Sequence, residues 1–299
     1  MKTLFVGCVA AFVLLPSNLV ANDYAYLRDI ISHLANWVEH IDSYQYTLKE
    51  YSQHTPQHYR TMQYKENQGK YYYETQIFSP DPNRAYQGRC IAWDGQIGVR
   101  YQRDTGFIYV NKKPYPYSPE WQYVQGLFFP LRLLAQNELP DHLRSPRLTD
   151  IKAAVRDIST SDIIAIENKP LGQLACLYVT SKYPLNVTTQ TKAEAKAYFS
   201  IADDYYPILI EVYQNAKLLE KHEVEKIGYY KSNQLRIPYP QKIKSAYYNE
   251  VAEVTSTVIT EYSDVLFNSA EIDGFEIDPS MARGMLDEGN GNRVITIPK

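Results

Sequence analysis

The chain has 299 residues, with 31 Lys+Arg against 34 Asp+Glu and a formal net charge of −3. Hydrophobic residues make up 44% and charged residues 22%, which excludes a disordered chain and a polytopic membrane protein. The slight acidity gives no electrostatic reason to expect a nucleic-acid partner. Tyrosine is the outlier, at 28 residues, whereas glycine is scarce, at 13.

Met1-Lys2 is followed by an apolar run from Leu4 to Leu15, then Pro16-Ser17-Asn18 and Leu19-Val20-Ala21. This is the pattern of a cleaved secretory signal peptide spanning 1–21, too short to cross a bilayer of about 30 Å comfortably. The mature chain is then expected outside the cytoplasm, periplasmic or extracellular, without a stable transmembrane span. Leu27, Ile30, Ile31, Leu34, Trp37, Val38 and Ile41 recur at three- and four-residue steps, which predicts an amphipathic helix from about Tyr24 to His40.

Strand periodicity then takes over. Tyr44, Tyr46 and Leu48 alternate with polar residues, and Met62 and Tyr64 lead to a turn at Asn67-Gln68-Gly69. Tyr71, Tyr73, Thr75 and Ile77 alternate on the return. Cys90 to Trp93 runs into Asp94-Gly95, a hairpin signal, and Ile97, Val99 and Tyr101 return. Asp104-Thr105-Gly106 turns into Phe107 to Val110. The segment from Lys112 to Pro119 carries three prolines and reads as a loop.

A second helix is expected from Trp121 to Gln136, with Pro130 in its middle as a kink, and a short third from Leu148 to Asp157. Strand text resumes from Ile163 to Phe267. Asp203-Asp204 and Asn215-Ala216 are expected as turns, and 246–262 as one long alternating strand. The fold class expected is α+β: a large curved antiparallel sheet of about ten or eleven strands, an unclosed β-barrel around an N-terminal helix and central helices. Residues 22–287 are expected to form a single domain, and 288–299 a flexible tail.

This order of elements resembles the lipoprotein-carrier superfamily, the periplasmic lipoprotein carriers and related envelope-stress sensors. The tail adds to the resemblance with Val265-Leu266-Phe267-Asn268, Phe275-Glu276-Ile277-Asp278-Pro279 and Asp287, as does the turn at Trp93-Asp94-Gly95. The resemblance implies a half-open barrel lidded by helices, with an apolar cavity that takes acyl chains, no catalysis and no cofactor. The tyrosines make the expected cavity more amphipathic than a plain acyl pocket.

Tyr44, Tyr46, Tyr71, Tyr73 and Trp93 are candidates to line that cavity from the sheet. Trp121, Val124, Phe128 and Leu131 are candidates to line it from the kinked helix, which has the features of a lid. Cys90 and Cys176, the cysteines beyond the leader, invite one disulfide in an oxidising compartment, worth about 4 kcal/mol on a loop-entropy model. His54 and His58 are four apart, but Pro56 lies between them, so they read as surface histidines rather than metal ligands. No Gly-x-Ser-x-Gly, His-Glu-x-x-His, Gly-x-Gly-x-x-Gly or phosphate-loop run occurs. The leading expectation is a non-enzymatic binder of a lipid or lipoprotein acyl chain. The alternatives are an envelope module that binds a protein partner, and an extracytoplasmic hydrolase with a carboxylate pair.

Overall fold

The computed structural model describes residues 36–81, 88–115, 163–183, 193–232, 235–249, 251–290 and 293–296, together with 25, 28–30, 32–33, 147–149 and 151–152. The first meander comprises β1 (Ser43–Ser52), β2 (Thr55–Asn67), β3 (Lys70–Phe78), β4 (Arg89–Trp93), β5 (Gly98–Gln102) and β6 (Phe107–Asn111). The second comprises β7 (Ile163–Asn168), β8 (Cys176–Tyr183), β9 (Ala193–Ser200), β10 (Tyr206–Gln214), β11 (Lys217–Ser232), β12 (Leu235–Tyr248) and β13 (Val254–Phe267). Two short strands close the chain, β14 (Gly284–Asp287) and β15 (Arg293–Thr296).

All fifteen strands form one sheet, in the order β15-β14-β6-β5-β4-β3-β2-β1-β13-β12-β11-β10-β9-β8-β7. The first meander builds outward from β1 to β6. The second begins at the opposite edge with β7 and builds back until β13 pairs with β1. Among the described residues, every pairing is antiparallel except β14 on β6, which is parallel, and the sheet is open, with β15 and β7 as its two edges.

The described part of the molecule is therefore mostly β. Residues 28–30, 32–33, 36–39, 148–149 and 151–152 are helical. The expected helix Trp121–Gln136 lies outside the described residues, as does most of the expected third helix. Strands outnumber the expectation, and two of the additional ones have a clear origin. The run read as one strand over 246–262 is two strands: it turns at 249–253, where the Asn249 N–H donates to the Glu253 carbonyl and Ala252 takes φ 62°. Part of the tail expected to be loose forms β15, paired with β14.

Alternation sorts the side chains onto two faces. One face carries the main core, where Tyr44, Tyr46, Leu48, Met62, Tyr64, Tyr71, Tyr73 and Ile91 join Val179, Ala197, Phe199, Ile210, Ile243 and Tyr262. Trp37, Val38 and Ile41, at the end of the N-terminal helix, pack on this same face, and so do Leu148 and Ile151. Trp37 also reaches β10, with its ring 6.0 Å from that of Tyr206. These inner elements touch both meanders, so the sheet wraps around them. A twisted sheet this wide curls rather than staying flat.

The opposite face is covered near β4–β6 by the C-terminal segment. Cys90, Ala92, Tyr101 and Ile108 pack there against Ile277 and Ala282. The Tyr101 hydroxyl donates to the Met281 carbonyl at 3.0 Å, and the Arg283 N–H donates to the Gly106 carbonyl at 2.7 Å. Asn268 ties the end of β13 to the start of β1. Its side-chain oxygen accepts from the Asp42 and Ser43 N–H groups, and its amide donates to the His40 carbonyl.

The expected Cys90–Cys176 disulfide is not formed. Both cysteines are free and buried. Cys90 is on β4 and Cys176 on β8, with eight strands between them in the sheet order. Each alternates out of phase with the core residues beside it, Ile91 and Leu177, so neither thiol points into the interior that the meanders share. Cys90 Sγ lies 2.9 Å from the Tyr72 hydroxyl. Burial pushes the Cys90 thiol up to about 12 and raises that of Cys176. Since the thiolate is the nucleophile, native protein at pH 8 should leave both cysteines unmodified by iodoacetamide, as mapped on peptides, and alkylate both once unfolded. Rapid alkylation of native Cys90 would contradict this placement.

Candidate functional site

The inner face of β1–β4 is ordered in rows across the sheet. The hairpin turn at Gln68-Gly69 sets the register of β2 on β3, placing Glu66 opposite Tyr71 and Tyr64 opposite Tyr73. The first row is Tyr44–Glu66–Tyr71–Trp93 and the second Tyr46–Tyr64–Tyr73–Ile91. The third is Tyr262–Leu48–Met62–Thr75, and the last Thr260–Glu50–Arg60–Ile77. From first row to last is six residues along a strand, about 20 Å. Along that axis the face passes from tyrosine-rich rows, the first of which also holds the buried Glu66, through Leu48 and Met62 to the Glu50–Arg60 pair.

Five sequence candidates, Tyr44, Tyr46, Tyr71, Tyr73 and Trp93, are brought together in the first two rows. Trp121, Val124, Phe128 and Leu131 lie outside the described residues. Tyr64, Glu66 and Tyr262 belong to the same group and escaped sequence reasoning. The signal for Tyr64 and Glu66 was available: a two-residue turn at Gln68-Gly69 dictates which β2 residues oppose Tyr73 and Tyr71.

The aromatic rows form a contiguous ring cluster. Tyr44 and Tyr64 have ring centroids 5.2 Å apart, Tyr46 and Tyr64 5.9 Å, and Tyr46 and Tyr262 6.0 Å. Contacts of this geometry add about 0.5–1.5 kcal/mol per pair beyond area burial. The Tyr71 hydroxyl donates to the Tyr115 carbonyl at 3.1 Å. Burial pushes the Tyr71 phenol up to about 12, against the pull of Arg147.

A carboxylate sits inside this aromatic field. Glu66 is 2% exposed. Its Oε2 accepts from the Tyr64 hydroxyl at 2.8 Å and from the Leu148 N–H at 2.8 Å. Leu148 opens the short helical turn in which the Ile151 N–H donates to the Arg147 carbonyl. Glu66 thus caps that turn from a distant strand, as a carboxylate caps a helix N-terminus. Arg147 lies 5.6 Å over the Tyr71 ring, and Lys152 reaches the Glu39 carbonyl and the Asp42 carboxylate. Residues 147–152 belong to the connection from β6 to β7, the two ends of the meanders. The part of that connection described here is laid on the inner face and fastened at Glu66.

The last row is different. Glu50 and Arg60 are directly opposite, with Arg60 Nη2 2.7 Å from Glu50 Oε1. Beside them Ile77 is 41% exposed. The inner face is closed at its middle and open at this rim.

Farther round the sheet, on the same face as Val224 and Ile243, His222 bonds Ser245 Oγ and Glu220 Oε2, each at 3.0 Å. The residue types are those of a nucleophilic triad, but Ser245 is 1% exposed and His222 4%. A substrate does not reach a hydroxyl so placed, and the chain acts as a polar brace between β11 and β12, whose register sets His222 opposite Ser245. Asp203 and Asp204 do not form an acid pair. Asp203 accepts from the Ser200 hydroxyl and the Tyr229 hydroxyl, while Asp204 turns the chain at φ 54°. Among the described residues, no three His, Cys, Asp or Glu side chains group as metal ligands, and no helix is long and apolar enough to cross a membrane.

No family model and no curated protein matches the sequence. Solved structures similar to this chain include a DUF1329 family protein from Desulfovibrio piger, at 8% identity and TM-score 0.43, over 81% of this chain and 93% of that one. They also include an uncharacterized conserved protein from Thermus thermophilus, at 9% identity and TM-score 0.31, over 88% and 99% of the two chains. A LolA superfamily protein from Nitrosomonas europaea is similar at 14% identity and TM-score 0.39, over 84% of this chain and 97% of that one.

Proposed function

We propose that this protein is a non-enzymatic binder and carrier of an amphiphile, working outside the cytoplasm. The observation that carries the reading is the graded inner face, about 20 Å from the Tyr44 row to the Glu50 row. It matches a molecule with an apolar chain and a polar end. The chain lies along the tyrosine and aliphatic rows, and the polar end stays at the open rim. Each methylene taken from water contributes about 0.8 kcal/mol, so the apolar rows supply the affinity.

The middle of the face is covered in this conformation, Tyr44 and Tyr64 being fully buried. Loading therefore requires the 147–152 segment to yield, releasing its attachments at Glu66, Glu39 and Asp42. The leader pattern of residues 1–21 supports the compartment.

Native mass spectrometry of protein taken from an envelope fraction tests this directly. The expected result is a co-purifying amphiphile, or one-to-one uptake of an added sixteen-carbon fatty acid. Protein that arrives empty and then refuses both fatty acids and phospholipids would overturn the proposal in favour of a module that binds a protein partner.

A further inference from the structure

At the rim, a cavity of about 360 Å³ is lined by Glu50, His58, Arg60, Ile77, Phe78 and Val258, among others. Glu50, Arg60 and Ile77 come from the last inner row, so this cavity continues the graded face rather than standing apart from it. Its polar wall is a salt bridge of opposite charges, half-buried on both sides. Its apolar wall on this face is Ile77 and Val258.

The pair is not saturated. Arg60 gives Glu50 one Nη2 contact to one oxygen. The Arg60 Nε is buried, so an oxyanion in the cavity meets this side chain through its terminal nitrogens, of which Nη2 is engaged with Glu50. Those nitrogens carry further N–H donors, and a guanidinium binds an oxyanion with two of them at once. On the other side, burial holds the Glu50 carboxyl above its ordinary range, against the opposing pull of Arg60. One guanidinium does not replace the water that Glu50 has lost, and a second cation would stabilise its charge. His58, Tyr51 and Tyr59 are the other titratable groups at the cavity, and the Tyr51 hydroxyl is engaged with Glu261. His58 is half-buried and hydrogen-bonded through Nδ1 to the Ser79 hydroxyl at 2.9 Å. Lys49 faces the opposite way, over the Tyr51 and Tyr59 rings.

We propose that the Glu50–Arg60 pair is a head-group subsite for a zwitterionic amphiphile, a lipid whose head carries both a phosphate and an ammonium group. The phosphate takes terminal N–H groups of Arg60 that do not face Glu50, and the ammonium takes the second oxygen of Glu50. An anionic lipid satisfies only Arg60 and sets its charge against Glu50. A fatty acid does the same with a carboxylate. This deepens the carrier reading and rests on it, because the chain attached to the head must lie on the inner face.

The test compares three ligands of equal chain length on the full protein: lysophosphatidylethanolamine, lysophosphatidylglycerol and a fatty acid. Dissociation constants come from displacement of a fluorescent fatty acid. The wild-type protein should prefer the ethanolamine lipid to the glycerol lipid by about tenfold, the scale of one added half-buried ion pair. Glu50→Gln, which keeps the size and an acceptor for Arg60, should abolish that preference. Equal binding of the two lysolipids by wild-type protein, with all three ligands bound, would overturn the subsite alone and leave the carrier reading standing. Failure of every chain to bind would overturn both. Chain-free phosphoethanolamine should compete negligibly. If it displaced the probe as well as the lysolipid does, the cavity would be a site for a soluble zwitterion, and the proposal would fall. The wild-type comparison needs no variant to fold.

Discussion

Gly88→Ala should destabilise the protein by about 3 kcal/mol or more, placing it among the severe point changes. Gly88 sits just before β4 with φ +78°. A Cβ built there would lie 1.4 Å from the Thr75 carbonyl oxygen and 2.4 Å from its carbon. No side-chain rotation relieves an overlap with backbone, so β4 must leave β3. That shift would pull apart the pairs Tyr71–Trp93 and Tyr73–Ile91, and with them the first two rows of the inner face. Gly69 provides the control. It has nearly the same φ, +77°, but nothing within 4 Å of an added Cβ. Gly69→Ala should therefore carry only the left-handed backbone penalty, about 1–2 kcal/mol. Urea midpoints of the two variants decide the matter. Equal losses would show that the close approach at Thr75 plays no part.

Glu66→Ala should cost about 2–3 kcal/mol and loosen the cover of the inner face. The substitution removes the acceptor for both the Tyr64 hydroxyl and the Leu148 N–H. Each of those donors is then left in a buried site without its partner, and such losses run to about 1–3 kcal/mol apiece before relaxation. The consequence differs from that of an ordinary core truncation, because Leu148 belongs to the connection rather than to the sheet. Amide exchange at 147–152 should accelerate well before exchange in β2 or β3, and a solvatochromic dye should bind the variant at denaturant concentrations where it ignores the parent. Glu66→Gln keeps an acceptor oxygen and should lose less. If exchange rose equally in the strands and in the cover, Glu66 would be a general core residue and not a fastening.

Much of the sheet was legible because tyrosine and β-branched residues alternate with polar ones where a single face is buried. Tyr44, Tyr46 and Leu48 could be assigned to one face before any coordinates, and so could Tyr71 and Tyr73. Turn chemistry helped wherever it was strong: Gln68-Gly69 and Asp94-Gly95 sit where expected. It failed where turns used unfavoured residues. The turn at 249–253 contains neither glycine nor proline, so β12 and β13 merged into one strand in the reading. Pro238 and Pro240 stand within β12, opposite Tyr229 and Ile227, and the register irregularity of β11 lies next to Ile227.

The site was legible only in part, for a different reason. Alternation tells which residues share a face, but not which rows meet across strands. Glu50 and Arg60 are ten residues apart and carry no motif. They become a pair only because β1 and β2 align at that register. Glu66 looked like one acid among 34, and its partner Leu148 is 82 residues away. The disulfide expectation failed because a count of cysteines carries no information about sheet order, and two meanders that grow from opposite edges place β4 and β8 far apart.

The central claim is that an apolar chain lies along the inner face of β1–β4, and Trp93 reports on that face directly. It closes the Tyr44–Glu66–Tyr71 row and packs against the main core. In a protein carrying Trp37→Phe and Trp121→Phe, Trp93 is the remaining tryptophan, and a brominated sixteen-carbon fatty acid quenches an indole only on close approach. Saturable quenching of Trp93 at a one-to-one ratio is expected, strongest when the bromine is near the methyl end, because the polar end is held at the Glu50–Arg60 rim. Binding of the brominated chain, confirmed by mass, with Trp93 fluorescence unchanged at every bromine position would contradict it.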